Sequence, residues 1–271
     1  MLTDDDQMAV TLQSARRSAR ISQLELALRL GVSQRHVSFV ESGRSKPSRS
    51  LLIAWLRELG SPLALRNTVM LQAGYAPAYR ETRPDDPILQ PTRAAMSQLL
   101  TTHDPMPAMV IDANWTVLEL NRGADWLARR LMPAIADLPA PLPSFNLIDA
   151  YCQPDGLLSA VVNLAETGPM TLAHLRQHQR AHPALAPRVD AFAAALASRL
   201  GRALAMVETA ADQLAPPVTP IRVATAHGEL AFFAMYTTFG SPQDITLASL
   251  RVEHLFAQDS FTADVLRRNV P

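Results

Sequence analysis

The sequence predicts an α + α/β mixed chain: an all-α N-terminal module, then an α+β domain built on a five-stranded antiparallel sheet and helices. Three observations carry that expectation. Residues 9–74 fall into several short amphipathic segments with sharp boundaries, the mark of small helices. A proline-rich stretch, 75–107, then interrupts the chain. Beyond it, two β-type runs come first, helical runs follow, and three β-type runs come last. One sheet accommodates that order if the first and last strands meet.

The elements of the first module, assigned to 1–75, are set by their caps. Ser22 followed by Glu25 is a capping box at a helix start. The helix it opens, Gln23 to Leu30, places Leu24, Ala27 and Leu28 at i, i+3 and i+4 as an apolar face. Gly31 makes a tight turn, where a side chain would hinder positive φ, and Val32 plugs the elbow. Ser33 caps a second helix, Gln34 to Glu41, with Val37 and Val40 facing the core, and Ser42-Gly43 ends it. Ser48 caps the next, whose Leu51, Leu52, Trp55, Leu56 and Leu59 form the wall behind.

Residues 76–107 read as a linker around one helix at about Thr92–Thr101, because Pro84, Pro87, Pro91, Pro105 and Pro107 limit helix length. The second domain, 108–271, opens with strands Ala108–Asp112 and Trp115–Asn121 about the turn Asp112-Ala113-Asn114. Arg122–Met132 is helical by period, and a loop follows from Pro133 to Pro143. Helices are expected at Leu157–Glu166, Thr171–His182, Arg188–Leu200 and Arg202–Gln213, broken at Gly168-Pro169, Pro183, Pro187 and Gly201. Strands Ile221–Ala226, Leu230–Phe239 and Ile245–Ala257 close the chain, the first two joined at His227-Gly228 as a hairpin.

Composition bounds the function. Hydrophobic residues make up 48% of the 271 positions and the formal net charge is +0, the profile of one or two globular domains. The neutrality hides an asymmetry. Through Arg66 the chain carries 10 basic and 6 acidic side chains, a net +4 balanced by −4 in the remainder. A basic module on a neutral chain suggests a polyanionic partner for that module. Cys152 stands alone, so no internal disulfide is possible and a reducing compartment is the simpler reading. The acidic start MLTDDDQ lacks the character of a signal peptide, and no run of apolar residues is long enough to span a membrane. The expectation is a cytoplasmic protein.

Two helices joined by a short turn and buttressed by others form a helix-turn-helix, which lets one helix enter a major groove. The reading helix is then Gln34–Glu41, with Gln34, Arg35 and Ser38 outward near its start. Gln pairs with an adenine edge through two hydrogen bonds and Arg with guanine. Arg44, Lys46 and Arg49 follow at once and suit phosphates, as does Gln23 at the start of the preceding helix. Here the text SQLELALRLGVSQRHVSFVESGRSKPS closely resembles the Xre-type, phage-repressor-like helix-turn-helix family. The partner expected is a double-stranded DNA operator, bound by a homodimer on half-sites about one helical turn apart.

Three stretches, GVSQRHVSFVESGR, LQAGYAPAYRET and TTFGSPQDITLASLRVEHLF, resemble the MmyB-like transcription regulators over nearly the whole chain, with 133–215 matching loosely. The resemblance implies a helix-turn-helix joined to a PAS-like ligand-binding domain that takes a small apolar ligand, a fatty acid or similar molecule, with no cofactor required. A ligand of such a domain lies between the sheet and its helices. Candidates to line that space are Met109, Leu118, Trp126, Leu127, Phe145, Phe233 and Met235, with Asn121 and Arg122 at a strand-to-helix junction to meet a carboxylate head. A stripe of aromatic and Met residues is more often core than pocket, and periodicity does not separate the two.

Other chemistries find less support. His174, His178 and His182 recur at i, i+4 and i+8, but the outer two stand ~12 Å apart along a helix, so one ion cannot take all three. They read as a solvated polar face, with a haem- or metal-sensing regulator as the alternative. Cys152 lacks a catalytic signature, phosphate-cradling glycine loops are absent, and no nucleophile is paired with a base, so an enzyme is not expected. A helix-turn-helix antitoxin or protein adaptor is the remaining alternative. Operator sequence, target genes, direction of regulation and ligand identity are not written in the sequence.

Overall fold

Short polar residues set the helix boundaries of the N-terminal part. The computed structural model describes residues 4–201, 219–240 and 242–271, so the helix expected at Arg202–Gln213 lies outside the described residues. Five helices come first: α1 Asp4–Ser18, α2 Gln23–Leu30, α3 Gln34–Glu41, α4 Arg49–Glu58 and α5 Leu63–Gln72. Ser22, Ser33 and Ser48 cap α2, α3 and α4. Each side chain accepts from the amide three residues on: Glu25 at 3.0 Å, His36 at 3.1 Å and Leu51 at 3.2 Å. The capping box is half formed, because the Glu25 carboxylate meets Arg29 at 2.6 Å. Gly31 ends α2 at φ 66°, in the left-handed region that favours glycine.

Leu26, Ala27, Val37, Val40, Leu52, Trp55 and Leu56 share one core with Met8 and Leu12 of α1 and Val69 and Met70 of α5. The inward face of α2 differs from the expected one. Leu24 and Leu28 are 54% and 74% exposed, while Leu26 and Ala27 are buried and Leu30 packs beside them. Two apolar stripes coexist on this helix. Its packing against both α3 and α4 selects one of them, which periodicity alone does not do.

The remaining elements are α6 Gln90–His103, β1 Ala108–Ile111, β2 Thr116–Leu120, α7 Arg122–Leu131, β3 Phe145–Asn146, α8 Leu147–Cys152, α9 Leu157–Ala160, α10 Leu164–Ala181, α11 Ala186–Leu200, β4 Ile221–Thr225, β5 Gly228–Thr238, α12 Ile245–Ser249, β6 Arg251–Ala257 and α13 Ser260–Asn269. The chain divides into two compact units. One holds the helices through Pro84 with a return segment ending at Ala248, and the other holds Asp85–Gly240 and Ser249–Pro271.

The second unit is a mixed α+β domain around one antiparallel sheet, ordered β3-β2-β1-β6-β5-β4. The first and last strands do meet, with Met109 opposite Glu253. The sheet has six strands instead of five. The extra one, β3, offers only Phe145 and Asn146 opposite Val117 and Thr116, too little for an alternating pattern to show. Three further boundaries differ from expectation. Ile245–Ser249 is helical, because the Asp244 carboxylate accepts from the amides of Thr246 and Leu247 at 2.9 and 3.3 Å and so starts a helix despite β-type residues. The region 157–166 is split, because Val161 bridges to Val223 and draws the chain onto β4. Gly168-Pro169 lies within α10 and does not break it. A Cβ at Gly168 would stand 2.5 Å from Leu196 Cδ1, so the glycine is what lets α10 and α11 approach closely.

Asn121 ties the start of α7 to the sheet. Its Oδ1 accepts from the amides of Ala108 and Ala124, both at 2.9 Å, and its Nδ2 donates to the Met106 carbonyl at 2.7 Å and the Leu100 carbonyl at 3.2 Å. Removing it uncaps a helix and strands buried backbone groups at once. Asn121→Ala is therefore expected to lower unfolding free energy by roughly 2–4 kcal/mol in a urea titration. An effect below ~1 kcal/mol, the scale of a cap alone, would rule out the tie.

Candidate functional site

The first candidate surface is built on α3. Its orientation is fixed from behind by a buried pair. Arg16 donates through Nε and Nη2 to both oxygens of Glu41, at 2.7 and 2.8 Å, and through Nη1 to the Ile21 carbonyl at 2.7 Å. Gln23 Nε2 adds a bond to Glu41 at 2.9 Å. The pair thus locks the last turn of α1 to the last residue of α3, and it leaves the start of α3 free to face outward. Gln34 and Arg35 are exposed there and Ser38 is half-buried. Arg44, Lys46 and Arg49 are exposed beside them, and among the described residues none of these four cations forms an ion pair. Gln23 is placed differently from the other six: its side-chain amide is engaged with Glu41, leaving its helix-start backbone amide as the group that can face a phosphate.

Phe39 belongs to this surface and sequence reasoning missed it. The Arg35 guanidinium lies 5.0 Å from its ring centroid and that of Arg44 6.0 Å. The ring gives both cations one platform, which limits the rotamers they sample. The signal in the sequence was spacing alone: Phe39 stands four residues after Arg35 on the same helix.

The second candidate is a mostly apolar cavity of about 90 Å³ in the second unit, between the inner face of the sheet and α7 to α9. Met109, Leu120, Leu127, Leu131, Phe145, Val223, Phe232 and Leu255 line it, and Tyr151 and Glu253 add polar groups. Of the residues the sequence nominates, Met109, Leu127 and Phe145 lie on this cavity. Trp126 is buried in the adjoining core, under the Arg130 guanidinium at 4.0 Å. Asn121 is saturated by backbone, and Arg122 is exposed on Asp104 at 3.0 Å and the Pro271 carbonyl at 2.8 Å. Leu118 is 47% exposed. Phe233 and Met235 point to the opposite face, where Phe233 stacks on Phe256 and Met235 lies beside His254 on an open groove of about 520 Å³.

The histidine row also differs from expectation. His174, His178 and His182 are half-buried, and the first two turn toward the sheet and not toward solvent. His174 stacks on Tyr236 and meets Trp115 edge-on, while His178 accepts from Arg251 Nη1 at 3.0 Å. Both rings meet residues distant in sequence, Tyr236 and Trp115 for His174 and Arg251 for His178, which spacing on one helix does not reveal. Among the described residues, no three His, Cys, Asp or Glu side chains converge as metal ligands. Burial and the Arg251 charge hold the His178 ring down at about 4, with smaller contributions from the neighbouring His174 and His182.

Comparison with known proteins adds to this geometry. A family model described as MmyB-like transcription regulator ligand binding domain matches residues 92–268, and one described as Helix-turn-helix matches residues 12–65. Among solved structures, the chain is similar to two crystal structures of the clp gene regulator ClgR from Corynebacterium glutamicum. One is 27% identical, covering 27% of this chain and 90% of that chain at a TM-score of 0.24. The other is 23% identical, covering 38% and 97% at the same TM-score of 0.24. The comparison with curated proteins gives no match.

The histidine geometry carries a pH dependence. The folded His178 ring binds its proton more weakly than the unfolded one, about 4 against 6.5, so acid favours the unfolded chain. The contribution of His178 is fully present above pH 6.5 and is lost as pH falls toward about 4. His178→Gln should flatten the fall in Tm across that window, by about 2–4 °C for each kcal/mol of linkage removed. An unchanged Tm profile in this variant would show that the ring is not desolvated against Arg251.

Proposed function

The chain belongs to the MmyB-like transcription regulator family, and from that premise we propose that it reads a specific operator through α3 and responds to a small apolar ligand in its second domain. A helix-turn-helix beside a ligand-binding domain of this family makes it a DNA-binding transcription regulator. The finer reading rests on one observation: Gln34 and Arg35 stand exposed at the start of α3, flanked by Arg44, Lys46 and Arg49 without ion-pair partners among the described residues. Gln34, Arg35 and Ser38 take base edges in this reading. The three flanking cations and the start of α2 at Gln23 take phosphates.

The protein acts as a homodimer on half-sites about one helical turn apart, in the cytoplasm. Among the described residues no helix is long and apolar enough to cross a membrane. The ligand is an apolar, fatty-acid-like molecule held between the sheet and α7 to α9. The cavity of about 90 Å³ is well below the roughly 300–1,000 Å³ of ordinary ligand pockets, so a long acyl chain requires the helical cover to move outward. Such a movement is what would let ligand and operator favour different states of the protein.

Selection of duplexes from a random pool, followed by competition titrations, tests the operator reading. An adaptor that binds only protein enriches no sequence. Arg35→Ala is expected to weaken the selected site by ~1–3 kcal/mol and to relax preference at one base position. Arg49→Ala should weaken selected and random duplexes alike and reduce the salt slope by about 1. If Arg35→Ala leaves specificity intact, Arg35 does not read bases.

A further inference from the structure

β6 runs through the middle of the sheet, paired along both edges with β1 and β5, and its inner face carries two charged residues. Arg251 is 8% exposed and Glu253 7%. Buried charge ordinarily finds partners. Glu253 has one, since the Tyr236 hydroxyl donates to it at 3.2 Å. Arg251 is satisfied only in part. Its Nη1 donates to His178, and its guanidinium lies 4.2 Å from the centroid of the Trp115 ring. Its Nε and Nη2 are buried and have no hydrogen-bond partner among the described residues. Within the second unit, Arg251 is the buried cation among the described residues.

Those two nitrogens form the edge of the guanidinium that directs two N–H groups in parallel, the fork that matches both oxygens of a carboxylate. The same chain shows that edge in use: Arg16 gives the same two atoms to Glu41 at 2.7 and 2.8 Å. Trp115 Nε1 is also buried without a partner among the described residues, as is His174 Nε2, and these two rings meet at 5.7 Å. Arg251 and Trp115 thus bring buried N–H donors without acceptors among the described residues. Glu253 stands two residues from Arg251 on the same face of β6, and it lines the cavity together with its cross-strand neighbour Met109.

We propose that Arg251 is an oxyanion receptor beyond the Glu253 end of this cavity, taking a ligand's carboxylate on its Nε–Nη2 edge. The proposal rests on the reading that the second domain binds an apolar, fatty-acid-like molecule, and it adds the residue that receives the head group. The apolar body lies past Glu253. Burial pushes the Glu253 carboxyl up, so a second carboxylate beside it favours the protonated form, which donates a hydrogen bond instead of repelling.

Calorimetric titration of the full chain with sodium hexanoate and sodium octanoate, each against the alcohol of matching length, separates head group from body. The acids should bind at least about tenfold more tightly than the alcohols. Arg251→Met keeps an unbranched side chain of similar reach. It should bring the acids down to the level of the alcohols and leave alcohol binding unchanged, which also reports that the variant is folded. Equal binding of acid and alcohol to the unaltered protein overturns the Arg251 assignment and leaves the apolar-ligand reading standing. Binding of neither overturns both. A preference for acid that survives in Arg251→Met places the receptor elsewhere and overturns the inference.

Discussion

The antiparallel pairing of β6 with β1 is the contact on which the second unit depends. It joins strands from opposite ends of the domain, with Ala108 opposite His254 and Ile111 opposite Arg251. The entropy of closing so long a loop grows only slowly with its length, so the intervening helices can be accommodated once the strands meet. Closure puts β6 at the centre of the sheet, with a paired strand along each edge. Val252, His254 and Phe256 then lie on one side, and Arg251, Glu253 and Leu255 on the other. Arg251 and Glu253 are both buried on the inner side. In the centre, their polar atoms must find partners inside the domain.

The first unit solves a similar problem differently. Arg16 and Glu41 are also buried, but every donor aimed at Glu41 is accounted for, and Gln23 completes the set. A buried pair of this kind contributes little net stability relative to an apolar substitute. What it contributes is direction. It ties α1 to the end of α3, so the three-helix arrangement has one geometry and the exposed start of α3 is held in a fixed place. The Arg35 and Arg44 side chains gather over Phe39 on that fixed helix.

What could be read from the sequence follows from how local the controlling chemistry is. Ser22, Ser33 and Ser48 act on amides three residues away, and Gly31 acts through its own φ, so the helices of the first unit are legible directly. The order of strands and helices in the second unit is legible for the same reason. Parity is not. Phe232 lines the cavity while Phe233 and Met235 face away, and a shift of one residue exchanges the two faces. The stripe chosen on α2, the inward turn of His174 and His178, and the passage of α10 through Gly168-Pro169 all depend on partners distant in sequence. For the candidate sites the same division holds. The outward residues of α3 follow from its caps, whereas Arg251 and Glu253 acquire their interest only from the position of β6.

The two units therefore present arginine in opposite environments, and the difference bears on selectivity. Arg35, Arg44 and Arg49 are solvated, so an approaching anion replaces water that already satisfies them, and the gain is modest and sensitive to salt. Arg251 has been stripped of water by folding and keeps two N–H groups without protein acceptors among the described residues. The desolvation cost of that edge is built into the domain, and only a group with acceptors in the right plane relieves it. An apolar cavity by itself discriminates weakly between bodies of similar size, whereas a buried polar group left unpaired by the wrong ligand discriminates strongly. Selectivity in this unit is thus expected to reside beyond the Glu253 end of the cavity, where the central strand carries its charge, more than along its apolar walls.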